Sequence, residues 1–322
     1  GRSAAFWEQC YGGPEIVPLT LASGPYLRAG GFLSRRGALY IGRESERASL
    51  DGFMERFGPT GAEIERLERG AAAALIPGLK PQWSNAVWEP ACADIDVAGL
   101  HQHYLALGRQ RGVELANRAR VSALDRSGGQ WNVACGGGER FAAATIVNAA
   151  GAWADAVARL AGLAPLGIQP LRRTVAQLRT DPPPPADLPL VLDIGGRFYF
   201  KPEAGRLWLS PHDETPSDPC DAAPEELAVA EAIDRFEQVV SWRVEAVERR
   251  WAGLRSFAPD RLPVYGRDPR EPGFAWFAGQ GGYGIQTAPA GARLTAQLLL
   301  GHERDEMTAD VESSLYLPDR LI

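Results

Sequence analysis

Three stretches of this chain have residue types and spacing suited to chemistry. The first is GQGGYGIQT at 279–287, where Gly279, Gly281, Gly282 and Gly284 fall within six residues. A β-like run at 274–277 precedes it. A helix-like run follows, with Thr287 near its cap, Pro289 in its first turn, and Leu294 and Leu298 on one face. Small residues after a strand let a ligand touch the main chain. The N-terminus of the next helix carries unpaired N–H groups and about half a unit of positive charge. Such an end suits a phosphate or a delocalised anion; a plain flexible turn is the alternative. The second stretch is VNAAGAWAD at 147–155, strand then Ala-Ala-Gly then helix. Ligands of open α/β sheets sit at such a place, although tight strand–helix packing explains the small residues equally well. The third is GLRSF, where Leu254 and Phe257 flank Arg255 and suit a partly buried, paired arginine. A guanidinium fork grips both oxygens of a carboxylate, and a structural salt bridge draws on the same chemistry.

The elements that must position these residues can be read from periodicity. Asp96 is an N-cap for a helix carrying Val97, Leu100, Tyr104 and Leu107, with Gly112 as its stop. Residues 121–124 and 131–135 are strands around a Ser-Gly-Gly turn, and 136–138 turn the chain again. The run 142–147 is almost wholly apolar and is predicted as a fully buried strand of a parallel sheet. A helix over 153–163 follows. RFYFKP (197–202) and RLWLSP (206–211) are strands, and Tyr199 alternates with Phe198 and Phe200, so it faces the opposite side. DPPPPADLP (181–189) and residues 213–226 are loops, the second leading into an amphipathic helix near 225–240. The order is α/β with a meander inserted, beside a second region built mainly on an antiparallel sheet.

The 322 residues allow one large or two medium domains. An apolar content of 45% with 23% charged residues is that of a globular protein. The net charge of −6, with basic residues scattered, argues against a nucleic-acid partner. Cys10, Cys92, Cys135 and Cys220 form no CxxC, and the four histidines form no HExxH. No metal is expected, and a reducing, cytoplasmic setting is the default, with peripheral membrane attachment left open. The chain starts at Gly1 like the middle of something.

Seven pieces in register then point to a family. They are GRSAA (1–5), ADIDVAGLHQHYL (93–105), VNAAGAWADAVA (147–158), PLRR (170–173), FYFKPEAG (198–205), WAGLRSFAPDRLPVYG (251–266) and GQGGYGIQT (279–287). Together they resemble the D-amino-acid oxidase-like FAD enzymes, in particular bacterial D-amino-acid dehydrogenases of the D-arginine type. The resemblance implies an α/β (α+β) fold: an FAD/NAD(P)-binding Rossmann-like domain over 1–30, 93–170 and 255–322, and a substrate domain over 31–92 and 171–254. It also implies roughly 40 residues ahead of Gly1, about one βαβ unit with the dinucleotide fingerprint. Those would come from a missing N-terminal segment or a partner chain.

The implied reaction is oxidation of a D-amino acid to the imino acid, hydride passing from Cα to flavin N5. By resemblance FAD would touch Gly1, Arg2, Ser3, Ala4, Val121, Ala149, Gly151, Trp153, Gly281, Gly282, Tyr283, Gly284, Ile285 and Gln286. Arg255 and Tyr199 match the residues that hold the substrate carboxylate, and Arg173 and Tyr11 match further pocket residues. Phe6, Glu8, Ala38, Asp193 and Gly282 would line the substrate pocket. The cationic-substrate type carries an acid near the place of Ala38, which is absent here. Either Glu8 or Asp193 supplies that charge or the substrate is neutral. Two readings stand beside this one: oxidation of a secondary amine such as sarcosine, proline or a glycine derivative, and a flavin-free relic or subunit that binds a partner. A quinone or another acceptor would reoxidise the flavin.

Overall fold

A computed structural model describes residues 3–322. The chain forms two compact units. Unit 1 comprises Gly1–Ile95, Leu171–Pro216 and Asp221–Leu254; unit 2 comprises Asp96–Pro170, Ser217–Cys220 and Arg255–Ile322. Residues 3–30 and 93–95 fall in unit 1, not with the segments the sequence grouped them with. The reason is local pairing, since Ala93–Ile95 hydrogen-bonds to strands at Phe6–Trp7 and Leu33–Arg35.

In chain order, unit 1 begins with β1 (Phe6–Trp7), α1 (Val17–Ala29), β2 (Leu33–Arg35), β3 (Ala38–Arg43), α2 (Arg47–Phe57), β4 (Glu65–Leu67), α3 (Arg69–Leu75), β5 (Trp83–Glu89) and β6 (Ala93–Ile95). Unit 2 takes over with α4 (Val97–Gln110), β7 (Val121–Ser127), β8 (Gln130–Cys135), β9 (Arg140–Ala143), β10 (Ile146–Asn148) and α5 (Ala154–Leu160). The chain returns through β11 (Gln169–Asp181), β12 (Leu190–Asp193), β13 (Tyr199–Glu203), β14 (Arg206–Ser210), β15 (Thr215–Pro216) and α6 (Glu226–Val239). It ends with β16 (Arg243–Phe257), β17 (Val264–Asp268), β18 (Glu271–Ala278) and α7 (Ala288–Leu300).

The main sheet of unit 1 has nine strands in the order β15-β11-β14-β13-β12-β3-β5-β4, with β16 joined through β11. Its β12–β3 pair is parallel. The pleat divides its side chains between two cores. Phe198 and Phe200 pack with Phe236 and Val229 of α6 and with Ala72 of α3. Tyr199 goes the other way, into a core with Phe6, Tyr40, and Phe53 and Phe57 of α2. The alternation expected around Tyr199 is therefore present. Ala204 and Gly205 close the β13–β14 hairpin at φ 49° and 75°, the left-handed pair a two-residue hairpin turn needs.

In unit 2, Gly128 and Gly129 at φ 60° and 80° turn β7 into β8. Asp96 caps α4 by accepting the Gly99 N–H at 2.9 Å. The run 142–147 departs from expectation. It breaks into the end of β9 and a short β10, and Ala142, Ala144 and Val147 are exposed, Val147 by 47%. The reason is topological: β9 borders only β8, and β10, although parallel to β18, is an edge strand. An apolar run gives no sign of whether its strand will be central or at an edge.

Phe200→Ala should cost about 3–5 kcal/mol, because a fully buried ring leaves a cavity. Leu227→Ala, at a position 70% exposed, should cost under about 0.5 kcal/mol. Urea unfolding of both variants checks the contrast; equal losses would show that the Phe198–Phe200 face carries no special packing.

Candidate functional site

In unit 2 two strand–helix connections carry the small residues singled out from sequence. Asn148 ends β10 and is buried. Its side-chain amide donates to the Ala154 carbonyl at 2.8 Å, and its side-chain oxygen accepts the Ala150 N–H at 3.3 Å. Asp155, one turn on, accepts the main-chain N–H groups of Leu166, Gly167 and Ile168 at 2.9–3.2 Å. These bonds fix the turn that bears Ala149, Gly151 and Trp153. Gly151 sits at φ 56° with open space where a side chain would point. Its glycine answers to the backbone angle, and the side it leaves open is accessible. Ala149 and Trp153 are exposed, and Val121 is half-buried at the start of β7.

The turn between β18 and α7 behaves differently. A Cβ on Gly281 (φ 52°) would lie 2.3 Å from the Phe257 ring, and one on Gly284 would lie 2.7 Å from Gln280. One on Gly279 (φ 71°) would meet Ala258 and Ile168 at 3.4 Å. Three of the four glycines thus have a reason inside unit 2, where the sequence had suggested a ligand pressed against the backbone. What the fold does leave for a ligand is donors. Gly281 N–H bonds Ser256, Tyr283 N–H bonds Gln280 and Thr287 N–H bonds Tyr283. Among the described residues, the N–H groups of Gly282, Gly284 and Ile285 find no acceptor. Tyr283 donates its hydroxyl to the Arg261 carbonyl, and Gln286 is buried. Three open donors ahead of the α7 N-terminus fit the electron-rich edge of an aromatic anion. Arg255 lies two residues before Phe257 on β16 and is half-buried.

In unit 1 the aromatic members of the expected pocket come together. Phe6 meets Tyr199 edge-on at 5.8 Å and Tyr11 at 5.6 Å between ring centres. Tyr199 is buried, and its hydroxyl has no hydrogen-bond partner. His212, which sequence reading missed, stands edge-on to Tyr199 at 5.6 Å, its Nδ1 2.9 Å from the Gly196 carbonyl. The one signal for it was register, since Tyr199 pairs with Ser210 two positions earlier.

The charged residues expected at the pocket are engaged within unit 1. Asp193 is buried and holds Arg197 through two bonds of 2.7 Å, plus the Arg197 N–H at 3.0 Å. Glu8 is buried and accepts the Tyr40 hydroxyl at 2.7 Å; burial lifts its carboxyl above the usual range, though hydrogen bonds from Glu89, Tyr40 and the Cys10 N–H oppose this. Neither is a bare negative charge: Asp193 is paired with Arg197 and Glu8 is bonded to Tyr40. Arg173 is buried and donates to the Asp213 carbonyl at 2.7 Å and to Glu214 at 2.9 Å. Ala38 is enclosed in β3, between Leu190 and Glu89 on the neighbouring strands. Ala4 is buried, and Ser3 Oγ accepts the Ala5 N–H. Gly1 and Arg2 lie outside the described residues. All four cysteines are free; Cys10, Cys92 and Cys135 are buried and Cys220 is exposed. Among the described residues no helix is long and apolar enough to cross a membrane.

Comparison with known proteins places this geometry. The family described as FAD dependent oxidoreductase (DAO) matches residues 3–298. The chain is 28% identical over 196 residues to FAD-dependent oxidoreductase domain-containing protein 1 of Mus musculus, covering 55% of this chain and 40% of that one. It is 28% identical over 238 residues to glycine oxidase of Pseudomonas aeruginosa, covering 72% of this chain and 63% of that one. The crystal structure of L-proline dehydrogenase from P. horikoshii superposes with a TM-score of 0.82 at 20% identity, over 97% of this chain and 85% of that one. The chain spans 34–45% of the length of the first curated relatives it matches. These likenesses carry the family and the fold, and they do not carry a D-arginine-type specificity.

Gly281→Ala combines a left-handed backbone angle with a collision against Phe257, and should cost about 2–4 kcal/mol. Gly301→Ala, at φ 67° with open space around it, carries the backbone strain alone and should cost about 1 kcal/mol. Denaturant titration of both separates the two causes; equal losses would remove the Phe257 contact from the explanation.

Proposed function

The chain belongs to the FAD dependent oxidoreductase (DAO) family, and from that membership we propose that it oxidises an α-amino acid with an uncharged side chain at the carbon bearing nitrogen. A D-amino acid is the form the sequence motifs favour. A secondary amine or glycine derivative is the second reading, favoured by the sequence likeness to a glycine oxidase and the structural likeness to an L-proline dehydrogenase.

The observation that carries the proposal is the Tyr199 hydroxyl, buried and without a partner. An unsatisfied buried polar group costs about 1–3 kcal/mol, and a substrate carboxylate would supply the missing acceptor. Arg255 is suited by its sequence context to grip a carboxylate, since its fork pairs both carboxylate oxygens. The engagement of Asp193 and Glu8 supports an uncharged substrate side chain. The open N–H groups of Gly282, Gly284 and Ile285 are suited to hold the flavin edge where negative charge gathers. Bound FAD supplies the hydride acceptor. The amine must be neutral before hydride leaves, and solvent suffices to take its proton.

The test is spectroscopic. Protein loaded with FAD should bleach anaerobically with one member of a panel of D-, L- and N-methyl amino acids. Tyr199→Phe should raise KM roughly tenfold, the loss of one hydrogen bond to a charged group. Arg255→Ala should lower kcat/KM by at least about a hundredfold. Protein that takes up no FAD, or flavin that no panel member reduces, would sink the proposal.

A further inference from the structure

Unit 1 contains a carboxyl pair that the chemistry above does not use. Glu8, directly after β1, and Glu89, the last residue of β5, are both fully buried. Glu8 accepts the Tyr40 hydroxyl at 2.7 Å and the Cys10 N–H at 3.0 Å; Glu89 accepts the Gln9 N–H at 2.8 Å. One oxygen of each carboxyl group lies within 4.8 Å of the other, and Glu89 Oε2 is buried with no other hydrogen-bond partner. Two carboxylates have no donor between them, so one proton must be shared. The segment this pair grips is the one that carries Phe6 and Tyr11. Phe6 lies edge-on to both Tyr11 and Tyr199. Gln9, between the two grips, also accepts the Glu63 N–H at 2.6 Å.

We propose that the proton shared by Glu8 and Glu89 is a latch that positions residues 6–11 against Tyr199. Glu8 and Glu89 are positioning residues: they act on substrate only through Phe6, Tyr11 and Tyr199. This rests on the amino-acid reading solely in placing Tyr199 at the substrate; the latch itself is a property of unit 1. The groups that face the pair are Tyr40, Cys10 and Cys92, and the charges that reach its thiols are Arg56, Asp94 and Lys201. Gln9 is buried beside the pair, and Val87, Leu190 and Leu192 lie in the same core. Loss of the proton to solvent would leave two adjacent negative charges there, without water to screen them.

The direction follows from the carboxyl groups. Burial raises both, and the charge on Glu8 raises Glu89 further, well above the ordinary 4.5. The folded protein therefore binds this proton more tightly than the unfolded chain does. The stabilisation is complete below about 4.5 and is lost as pH rises through the raised value. The latch opens on the alkaline side, and acid does not open it.

Infrared spectroscopy and hydrogen exchange on the full chain test this without substrate. Wild type should keep a protonated-carboxyl band at pH 7 and lose it on alkalisation. Exchange of residues 6–11, corrected for its intrinsic pH dependence, should rise with the same midpoint, about tenfold per pH unit above it. Glu89→Gln should delete the band and flatten the exchange step. With an identified substrate, wild-type KM should rise through that midpoint at constant kcat, and the Glu89→Gln KM should not change with pH. Absence of the band at pH 7, or an exchange step that survives Glu89→Gln, overturns the latch. Glu8, Cys10 and Glu89 also hold ligand atoms within 4.8 Å of one another. Zn²⁺ or Mn²⁺ that raises the melting temperature of wild type but not of Glu89→Gln would assign them to a metal and overturn it too. If Glu89→Gln does not fold, the wild-type band and exchange step decide alone. A substrate panel that fails while both appear counts against the amino-acid reading only.

Discussion

A polar group sealed from water must find a partner inside the protein or take one from a ligand, and unit 1 is arranged by that constraint. Lys201 is buried and holds Asp94 at 2.5 Å and Glu203 at 3.0 Å. Asp94 in turn takes Arg36 at 2.7 Å. Asp193 is matched to Arg197, and Glu8 to the Tyr40 hydroxyl and the Cys10 N–H. The Tyr199 hydroxyl is one of the buried polar atoms among the described residues that has no hydrogen-bond partner. It lies on the face of β13 turned away from Phe198 and Phe200, so the pleat that builds one core also delivers an unmatched hydroxyl to the other.

The glycine-rich turn of unit 2 shows the same economy from the opposite side. Phe257 and Gln280 occupy the volumes that side chains on Gly281 and Gly284 would need. The glycines are therefore demanded by packing within the unit. The ligand-facing property of the turn lies in three N–H groups that it leaves open. The connection after β10 reaches a similar end by other means, with Asn148 and Asp155 holding the main chain from both sides of Gly151.

Much of this was legible in the sequence because it is governed by short-range rules. Asp96 as a cap, Gly128 and Gly129 as a turn, and the alternation of Tyr199 with its neighbours all follow from local preference and strand period. The aromatic residues expected at the pocket were reached through motif resemblance, and Phe6 lies against both Tyr11 and Tyr199. What stayed hidden depends on contacts between distant segments. Glu8 reads as a free acid until Glu89, eighty-one positions on, is brought against it. Asp193 reads as pocket charge until the bend after β12 returns Arg197 to it. The run at 142–147 reads as core because composition does not reveal which strand will border open solvent.

The distribution of thiols has a practical consequence. Three cysteines are buried, Cys10 and Cys92 in unit 1 and Cys135 in unit 2, and burial lifts the Cys10 and Cys92 thiols far from their reactive form. Cys220 alone is exposed, in the loop ahead of α6. A folded molecule should therefore take up one alkylating tag and an unfolded molecule four, so mass spectrometry can count the folded fraction in a mixture without any assay of its chemistry.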